Sequence, residues 1–465
     1  METYSRVASL SIGKESSENV AVTPTVFIPF NDENISLDFA YQAAVPVSSS
    51  RSVNRRAIKK RIPSPNGSIN VNVEPNTFGH FLEAIYGDLA SGNHIDISGI
   101  TGTFQVGETI TGGTSTETAT VAFVGDDFLI ITSPSGAFTN GETITGGTSS
   151  ATATLGTYNA SGYGHAANLP AEHSNTYCLQ LNYSDRAYRL TGVKFTSIDA
   201  LGQSDDIITA GISLMARGVF RQARVTATTT AGAGSKSIFL DQTLGLVVGD
   251  TIKVWRKGTG FLDFSASSVK THTVDTVVAN TRITVTNTQT QLSAGDIILL
   301  APQTASYSID EEFPWVGGSQ ISLGDDVDNF ATEEAEDFSL VVTNDYEERH
   351  AAKSTGIQNR FPSALLHKGI TATGNFTLYN QDEGFMQIAR ENRAQAIKIR
   401  SIGTAVVTNK NHQLEFILPN IQFGSYNQNI SQDDIVNENV PFDAFHDETE
   451  GYISQVLLVN GIASY

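Results

Sequence analysis

The 465-residue sequence predicts a mainly β protein in which one sandwich- or barrel-like unit with a flanking helix occurs twice and two small all-β modules are inserted. Short runs rich in Thr, Val, Ile and Ser, 40 glycines and a charged fraction of only 17% are typical of β proteins. Two internal repeats, at offsets of 228 and 34 residues, indicate how the chain is divided.

The longer repeat relates residues 190–216 to residues 418–444. Seven of the 27 aligned positions are identical, Phe195 with Phe423 among them, and the apolar positions coincide as well. Because identities and apolar pattern agree in one ungapped register, we expect both stretches to occupy the same place in two copies of one unit.

The first unit is expected to comprise residues 35–97 and 159–217, after an N-terminal arm of residues 1–34. The arm is polar except for one apolar group that we expect to dock on another surface: Val26, Phe27, Ile28 and Phe30. Alternating apolar residues predict two strands, at Leu37, Phe39 and Tyr41 and at Ile69, Val71 and Val73. A helix should follow, with Asn76 as its N-cap, Gly87 at its end and one apolar face made of Phe78, Phe81, Leu82 and Ile85.

A basic segment separates those two strands. It places six positive charges within eleven residues: Arg51, Arg55, Arg56, Lys59, Lys60 and Arg61. Such a cluster cannot pack into a core, so we expect a hairpin tip that makes inter-subunit contacts with acidic surface on another copy of the chain. A plain solvated loop and a direct grip on DNA phosphates are the alternatives.

Two modules interrupt the repeated unit. In residues 98–158 the segment at 102–121 recurs at 136–155 with the shared motif GETITGGTS, which predicts a compact β module. Residues 218–308 carry two Gly-Asp turns between strands and predict a second small β barrel or sandwich. The second unit should then occupy residues 309–465, with a helix that begins near Asp382.

Charge and motifs argue against most kinds of chemistry. The net charge of −20 excludes a broad nucleic-acid-binding surface, and the lone Cys178 excludes an intrachain disulfide. Three acidic residues could hold calcium but lack the glutamate of an EF-hand loop: Asp325, Asp326 and Asp328. We therefore expect no catalytic, cofactor-binding or metal site. No signal peptide and no long apolar run is present, so we expect a protein that is not embedded in a membrane and is made in a cytoplasm.

The order of these elements resembles the tail tube proteins of long-tailed, non-contractile bacteriophages. The resemblance rests on the basic hairpin, the strand GSINVNVEPN, the helix FGHFLEAIYG, the later TATGNFTLYNQDEGFMQIARE and the closing LEFILPNIQF, and it covers a little over half of the chain. It implies a tube domain of two packed β-sheets with a flanking helix, six of which close a ring, and rings that stack into a hollow tube through which DNA passes without specific binding. This chain departs from the single-domain pattern of the family, because the repeat predicts tandem tail-tube-type β domains and two β modules are inserted.

The resemblance also implies partners and a location. With the unit written twice, rings of three chains with pseudo-sixfold symmetry are expected, together with contacts to other phage tail proteins. The place would be the virion tail, after assembly in the host cytoplasm. A secreted or surface β-rich protein that binds carbohydrate or adheres is the alternative from another class, and a capsid decoration or baseplate protein is the alternative within virions.

Overall fold

A computed structural model describes residues 8–36, 41–44, 56–59, 64–169, 174–203, 206–229, 236–262, 271–285, 291–308, 311–327, 330–333, 335–350, 361–379, 384–391, 393–407, 410–424, 427–429 and 437–465. The fold is mainly β, as predicted, with two short helices among these residues, α1 (Gly79–Tyr86) and α2 (Gly384–Glu391). Neither helix is long and apolar enough to cross a membrane.

The strands fall into four groups along the chain. The first group is β1 (Ser9–Lys14), β2 (Val26–Ile28), β3 (Asp32–Ser36), β4 (Tyr41–Ala44), β5 (Arg56–Lys59) and β6 (Asn66–Asn72). After α1 come β7 (Ala90–Thr101), β8 (Thr109–Gly112), β9 (Thr118–Val124), β10 (Phe128–Thr132), β11 (Thr143–Gly146), β12 (Thr152–Leu155), β13 (Tyr163–Leu169), β14 (Tyr177–Asn182), β15 (Ala187–Gly202) and β16 (Thr209–Phe220).

The third group is β17 (Ala223–Arg224), β18 (Lys236–Phe239), β19 (Thr251–Arg256), β20 (Gly260–Phe261), β21 (His272–Val278), β22 (Arg282–Val285) and β23 (Ile297–Leu300). The last is β24 (Ser319–Gly324), β25 (Ala331–Glu333), β26 (Ala335–Arg349), β27 (Ala364–Tyr379), β28 (Gln395–Val407), β29 (Lys410–Phe423), β30 (Asn427–Asn429), β31 (Asn437–Ala444) and β32 (Ser454–Asn460), with α2 between β27 and β28.

Two sets of strands have the same order of neighbours. The first set runs β2-β1-β14-β15-β16-β6-β3, and the second runs β25-β24-β28-β29-β31-β27-β26. All of these pairs are antiparallel. We call them the first and second strand sets. Their apolar faces pack into one continuous core, to which α1 contributes Phe78, Phe81, Leu82 and Ile85.

The two strand sets also agree in register. Val193 pairs with Ala216 and Phe195 with Leu214 in the first set, while Ile421 pairs with Ala444 and Phe423 with Phe442 in the second. Every one of these second-set residues lies 228 positions after its first-set counterpart. The β-bulge between Tyr177 and Leu179 recurs between Gln395 and Ile397, against the equivalent stretch of the long strand.

The N-terminal segment differs from its prediction. The described part of the predicted arm, residues 8–34, belongs to the fold and is not an arm that docks elsewhere, because β1 pairs with β14 and β2 pairs with β1 of the same chain. Leu10, Ile12 and Ile28 are buried in the shared core. The alternation of Leu10 and Ile12 with serines and glycine is a strand pattern, and β24 and β25 occupy the corresponding places in the second set.

Helix α1 begins and ends partly as predicted. It stops before Gly87, whose φ of 90° favours glycine and whose N–H donates to Glu83 O at 3.1 Å. Asn76 does not cap the helix. Phe78 stands at the N-cap without a capping side chain, because the preceding residues form a turn in which Phe78 N donates to Glu74 O.

The first module, from β8 to β12, has an approximate twofold arrangement of its two repeats. Its own core is formed from both repeats, with Ile110 and Ile144 among its buried members. Glu108 accepts hydrogen bonds from the backbone N–H of Thr148 and Ser149, and Glu142 accepts them from Thr114 and Ser115. Each GETITGGTS motif therefore closes the turn of the other copy.

The reciprocal hydrogen bonds of Glu108 and Glu142 explain why each motif has a glycine next to the glutamate of the other copy. A Cβ at Gly112 would stand 2.3 Å from Ser115 Oγ and 2.7 Å from Glu142 Oε1, so a side chain at this position would displace the hydrogen-bonded pair that closes the turn. Burial alone would raise the pKa of Glu108, yet the hydrogen bonds from Ser149, Gln105 and Thr148 outweigh burial and hold that pKa below its ordinary value.

The first module continues into the second strand set. β7 pairs with β13, and β13 pairs with β32, which in turn pairs with β29. Phe128 and Ile130 of the module pack on Leu457 and Val459 of β32. The module thus covers apolar residues of the sheet that carries it.

The second module is a closed six-stranded barrel. The cycle β17-β23-β19-β21-β22-β18 is completed by the bridge between Val225 and Leu240. Both Gly-Asp turns end in an aspartate that accepts the N–H three residues before it, from Val247 to Asp250 and from Ser293 to Asp296.

An ion pair ties this barrel to the first strand set. Arg189 of β15 donates to both oxygens of Asp250, each at 2.8 Å, and both side chains are 1% exposed. Removing one partner of such a buried pair costs on the order of 3–5 kcal/mol, because the other charge is left without compensation.

Candidate assembly surface

The two strand sets meet through one pair of long strands. β15 pairs antiparallel with β26 from Ser197 with Thr343 to Gly202 with Phe338. Ile198 and Ala200 point to the core on one side of this junction, and Leu340 and Val342 do so on the other. The junction makes one sheet of the strands β3-β6-β16-β15-β26-β27-β31-β30.

The outer strands of this eight-stranded sheet each have one partner. Among the residues that the structure describes, β3 pairs with β6 alone and β30 with β31 alone. An exposed row of backbone N–H and C=O groups is a template for pairing with another chain. The sheet therefore presents two edges that can take a further strand.

These two edges correspond to the two sides of the internal junction. β30 pairs with β31 in the same way as the end of β15 pairs with β16. Asn427 pairs with Asn439, and both residues lie 228 positions after the pair formed by Asp199 and Gly211. β3 corresponds to β26, since Ile35 pairs with Gly67 as Leu340 pairs with Gly374. One edge thus has the place of β15 and the other the place of β26.

The face of this sheet that points away from the core is polar. Along each strand the core-facing residues alternate with residues that are partly or fully exposed. In the central stretch, this outward face carries neither Lys nor Arg among its described residues: Asp32, Asn34, Ser68, Asn70, Asn72, Ser197, Asp199, Leu201, Thr209, Gly211, Ser213, Asp337, Ser339, Val341, Thr343, Thr371, Thr373, Asn375, Thr377, Asn439, Pro441 and Asp443.

Among the described residues, the charges on this part of the face are therefore all carboxylates. Asp32 accepts a hydrogen bond from Asn70 Nδ2 at 2.7 Å. Partial burial raises the pKa of Asp199, and a hydrogen bond with Ser339 across the junction only partly offsets that rise. We call this the polar face.

Two of the six residues predicted to make inter-subunit contacts, Arg56 and Lys59, are among the described residues. β4 pairs with β5 from Tyr41 with Lys59 to Ala44 with Arg56, so a hairpin is present, but these two basic residues belong to one of its strands and not to its tip as predicted. Arg56 and Lys59 stand on β5. Arg51, Arg55, Lys60 and Arg61 lie outside the described residues, so their predicted contacts stay a prediction.

The edges themselves were not singled out by sequence reasoning. The 228-residue repeat does relate β15 to β30, which is a sequence signal for their equivalence. The repeat does not show which strands are left without a neighbour at the edge of a sheet. For enzymatic or metal chemistry the described residues offer no group of three or more His, Cys, Asp or Glu that could hold a metal ion.

No protein-family model matches the sequence, and no curated protein matches it either.

Proposed function

We propose that the chain is a non-enzymatic structural subunit that closes into a ring through β3 and β30, and that such rings stack into a bacteriophage tail tube. The observation that carries this proposal is that the two sheet edges, which have no further partner among the described residues, correspond to the two sides of the β15–β26 junction. In a ring, β30 of one copy pairs with β3 of the next, and each junction repeats the internal one.

The proposal fixes the register between copies. At the internal junction Asp199 pairs with Val341 and Leu201 pairs with Ser339. At the equivalent positions between copies, Asn427 would pair with Ser36 of the next copy, and Asn429 with Asn34 of that copy. Gln428 then faces Ile35. The equal registers and the shared bulge support a tandem duplication, and two units per chain fit three chains in a ring of six units.

The polar face suits the inner wall of such a tube. Without Lys or Arg on its central stretch, the wall offers a passing polyanion hydroxyls, amides and repelling carboxylates instead of counter-ions. DNA would pass without specific binding. The virion tail is the corresponding location, and other tail proteins are the partners at the tube ends.

Cysteine pairs test the ring. Oxidation of a variant with Asn429→Cys and Asn34→Cys should give a covalent species of three times 49.8 kDa and no larger species within one ring. A variant with Asn429→Cys and Ile35→Cys is the matched control, because residues shifted by one position point to opposite faces.

Electron microscopy of the same protein separates this function from its alternatives. Hollow tubes are expected at high protein concentration. Monomers under all conditions, or equal cross-linking in both cysteine variants, would contradict the ring, and closed rings that never stack would instead favour a baseplate or decoration role.

The basic hairpin is proposed to bind acidic surface on a neighbouring copy. Exchange of Arg55, Arg56, Lys59 and Lys60 for Ser should leave folding intact and weaken polymerisation, because charge-assisted contacts are lost. Wild-type polymerisation should also fall as salt screens these contacts. Tubes from the fourfold variant that form normally and ignore salt would rule this role out.

A further inference from the structure

A cleft of about 610 Å³ lies where the six-stranded barrel meets the ends of β15 and β16. Three arginines line it, Arg186, Arg221 and Arg224, in a chain whose net charge is −20. Clefts between packed modules are common places for ligands. This cleft is separate from the strand edges.

Two of the arginines keep their guanidinium groups available. Arg186 is held by Asp185, with Nη2 3.1 Å from Oδ2. Arg221 lies over the ring of Tyr188 at 5.0 Å, and neither it nor Arg224 has a carboxylate partner within salt-bridge distance among the described residues. Asp241, the carboxylate among the described lining residues, accepts the backbone N–H of Arg224 and not its side chain.

The floor of the cleft is apolar and continues to an exposed tryptophan. Ile297 and Leu299 of β23 line the cleft, and Trp255 of β19 is the cross-strand partner of Ile297. Directly opposed residues of an antiparallel pair share a face of the sheet. Trp255 therefore extends the same surface, and the residue is 38% exposed.

We propose that this cleft binds a saccharide that carries carboxylate groups. Guanidinium groups match carboxylates in planar, bidentate geometry, and an exposed indole offers a flat apolar face for the C–H groups of a sugar ring. Arg221 and Arg224 hold the carboxylates, and Trp255 packs against the ring. The site goes beyond the assembly role and does not depend on ring formation.

Calorimetric titration of the full chain with a short oligogalacturonate tests the site. Binding is expected, with a neutral galacto-oligosaccharide showing none. The variant with Arg221→Gln and Arg224→Gln should bind at least about tenfold more weakly, because two charge-assisted contacts are lost. Arg282→Gln is the control, since Arg282 lies over Phe239 of the same barrel and outside the cleft.

Tryptophan fluorescence locates the ligand, because the other tryptophan, Trp315, is buried. A spectral change that saturates with the calorimetric affinity and disappears in Trp255→Phe supports the site. The proposal is overturned by absence of oligogalacturonate binding, by equal affinity in the double arginine variant, or by inorganic phosphate binding as tightly. Tight binding of poly-glutamate without oligogalacturonate would assign the cleft to an acidic protein segment.

Discussion

Glu415 is a carboxyl group buried between the second strand set and the first module. Its side chain is 2% exposed, and burial raises its pKa to about 6 from the ordinary 4.5, although Lys398 and Arg400 act in the opposite direction. The folded protein therefore binds this proton more tightly than the unfolded chain does. Stability from this group is complete below about pH 4.5 and falls as the pH rises through 6.

Replacement of Glu415 by Gln should remove this loss. At pH 8 the variant is expected to be more stable to urea by at most about 2 kcal/mol, and the difference should vanish below pH 4.5. Glu448→Gln, at an exposed position, is the control and should change little. A Glu415→Gln variant that is equally or less stable at pH 8 would show that the carboxylate is better compensated than its burial implies.

At the scale of elements, Glu108 and Glu142 of the first module each accept hydrogen bonds from the turn of the other repeat. The effect of removing one of them should therefore appear in the other repeat. Glu108→Ala leaves the N–H groups of Thr148 and Ser149 without their acceptor, which costs on the order of 1–3 kcal/mol. Amide exchange should accelerate at 148–149, some 40 residues away in sequence, and stay slow at 114–115.

Glu142→Ala should give the opposite pattern, with fast exchange at 114–115. Glu117→Ala is the matched control in the same module, because Glu117 accepts its side-chain hydrogen bond from the hydroxyl of Ser135 near the surface. Faster exchange in the variant's own repeat alone would contradict the exchanged arrangement.

Elements with a clear local pattern of apolar and turn residues can be predicted from the sequence. Elements that depend on pairing with residues far away in the sequence cannot. The helix face of α1, the hairpin around the basic segment and the barrel-like second module follow from local pattern and turn residues. The strand β1 was missed because only two apolar residues mark it, Leu10 and Ile12, and its partner β14 lies more than 160 residues away. The reciprocal bonds of Glu108 and Glu142 are likewise long-range, so a motif that reads as a turn conceals them.

At the scale of the whole molecule, the proposed tube would use different parts of one sheet for assembly and for the conduit. In that proposal the backbone edges attach one copy to the next, the core-facing side chains stabilise the subunit, and the outward side chains form the wall. The inserted modules join the strand sets away from this wall, at β7, β13 and β32 and at β17 and β23. Decoration of the protein can therefore vary without change to the proposed channel.

The chemistry of the polar face leads to a test of the conduit. Ser213 and Asn375 are outward-facing, partly exposed residues on β16 and β27, so lysine can replace both without entering the core. Tubes of the Ser213→Lys and Asn375→Lys variant should still form but retain DNA in an interaction that weakens steeply with salt, because the wall now neutralises phosphates. Wild-type tubes should retain none.

Thr111→Lys, exposed on the first module, is the control and should not retain DNA inside tubes. If the double variant assembles and still holds no DNA, or if it cannot assemble although it folds, the polar face does not line a channel for nucleic acid.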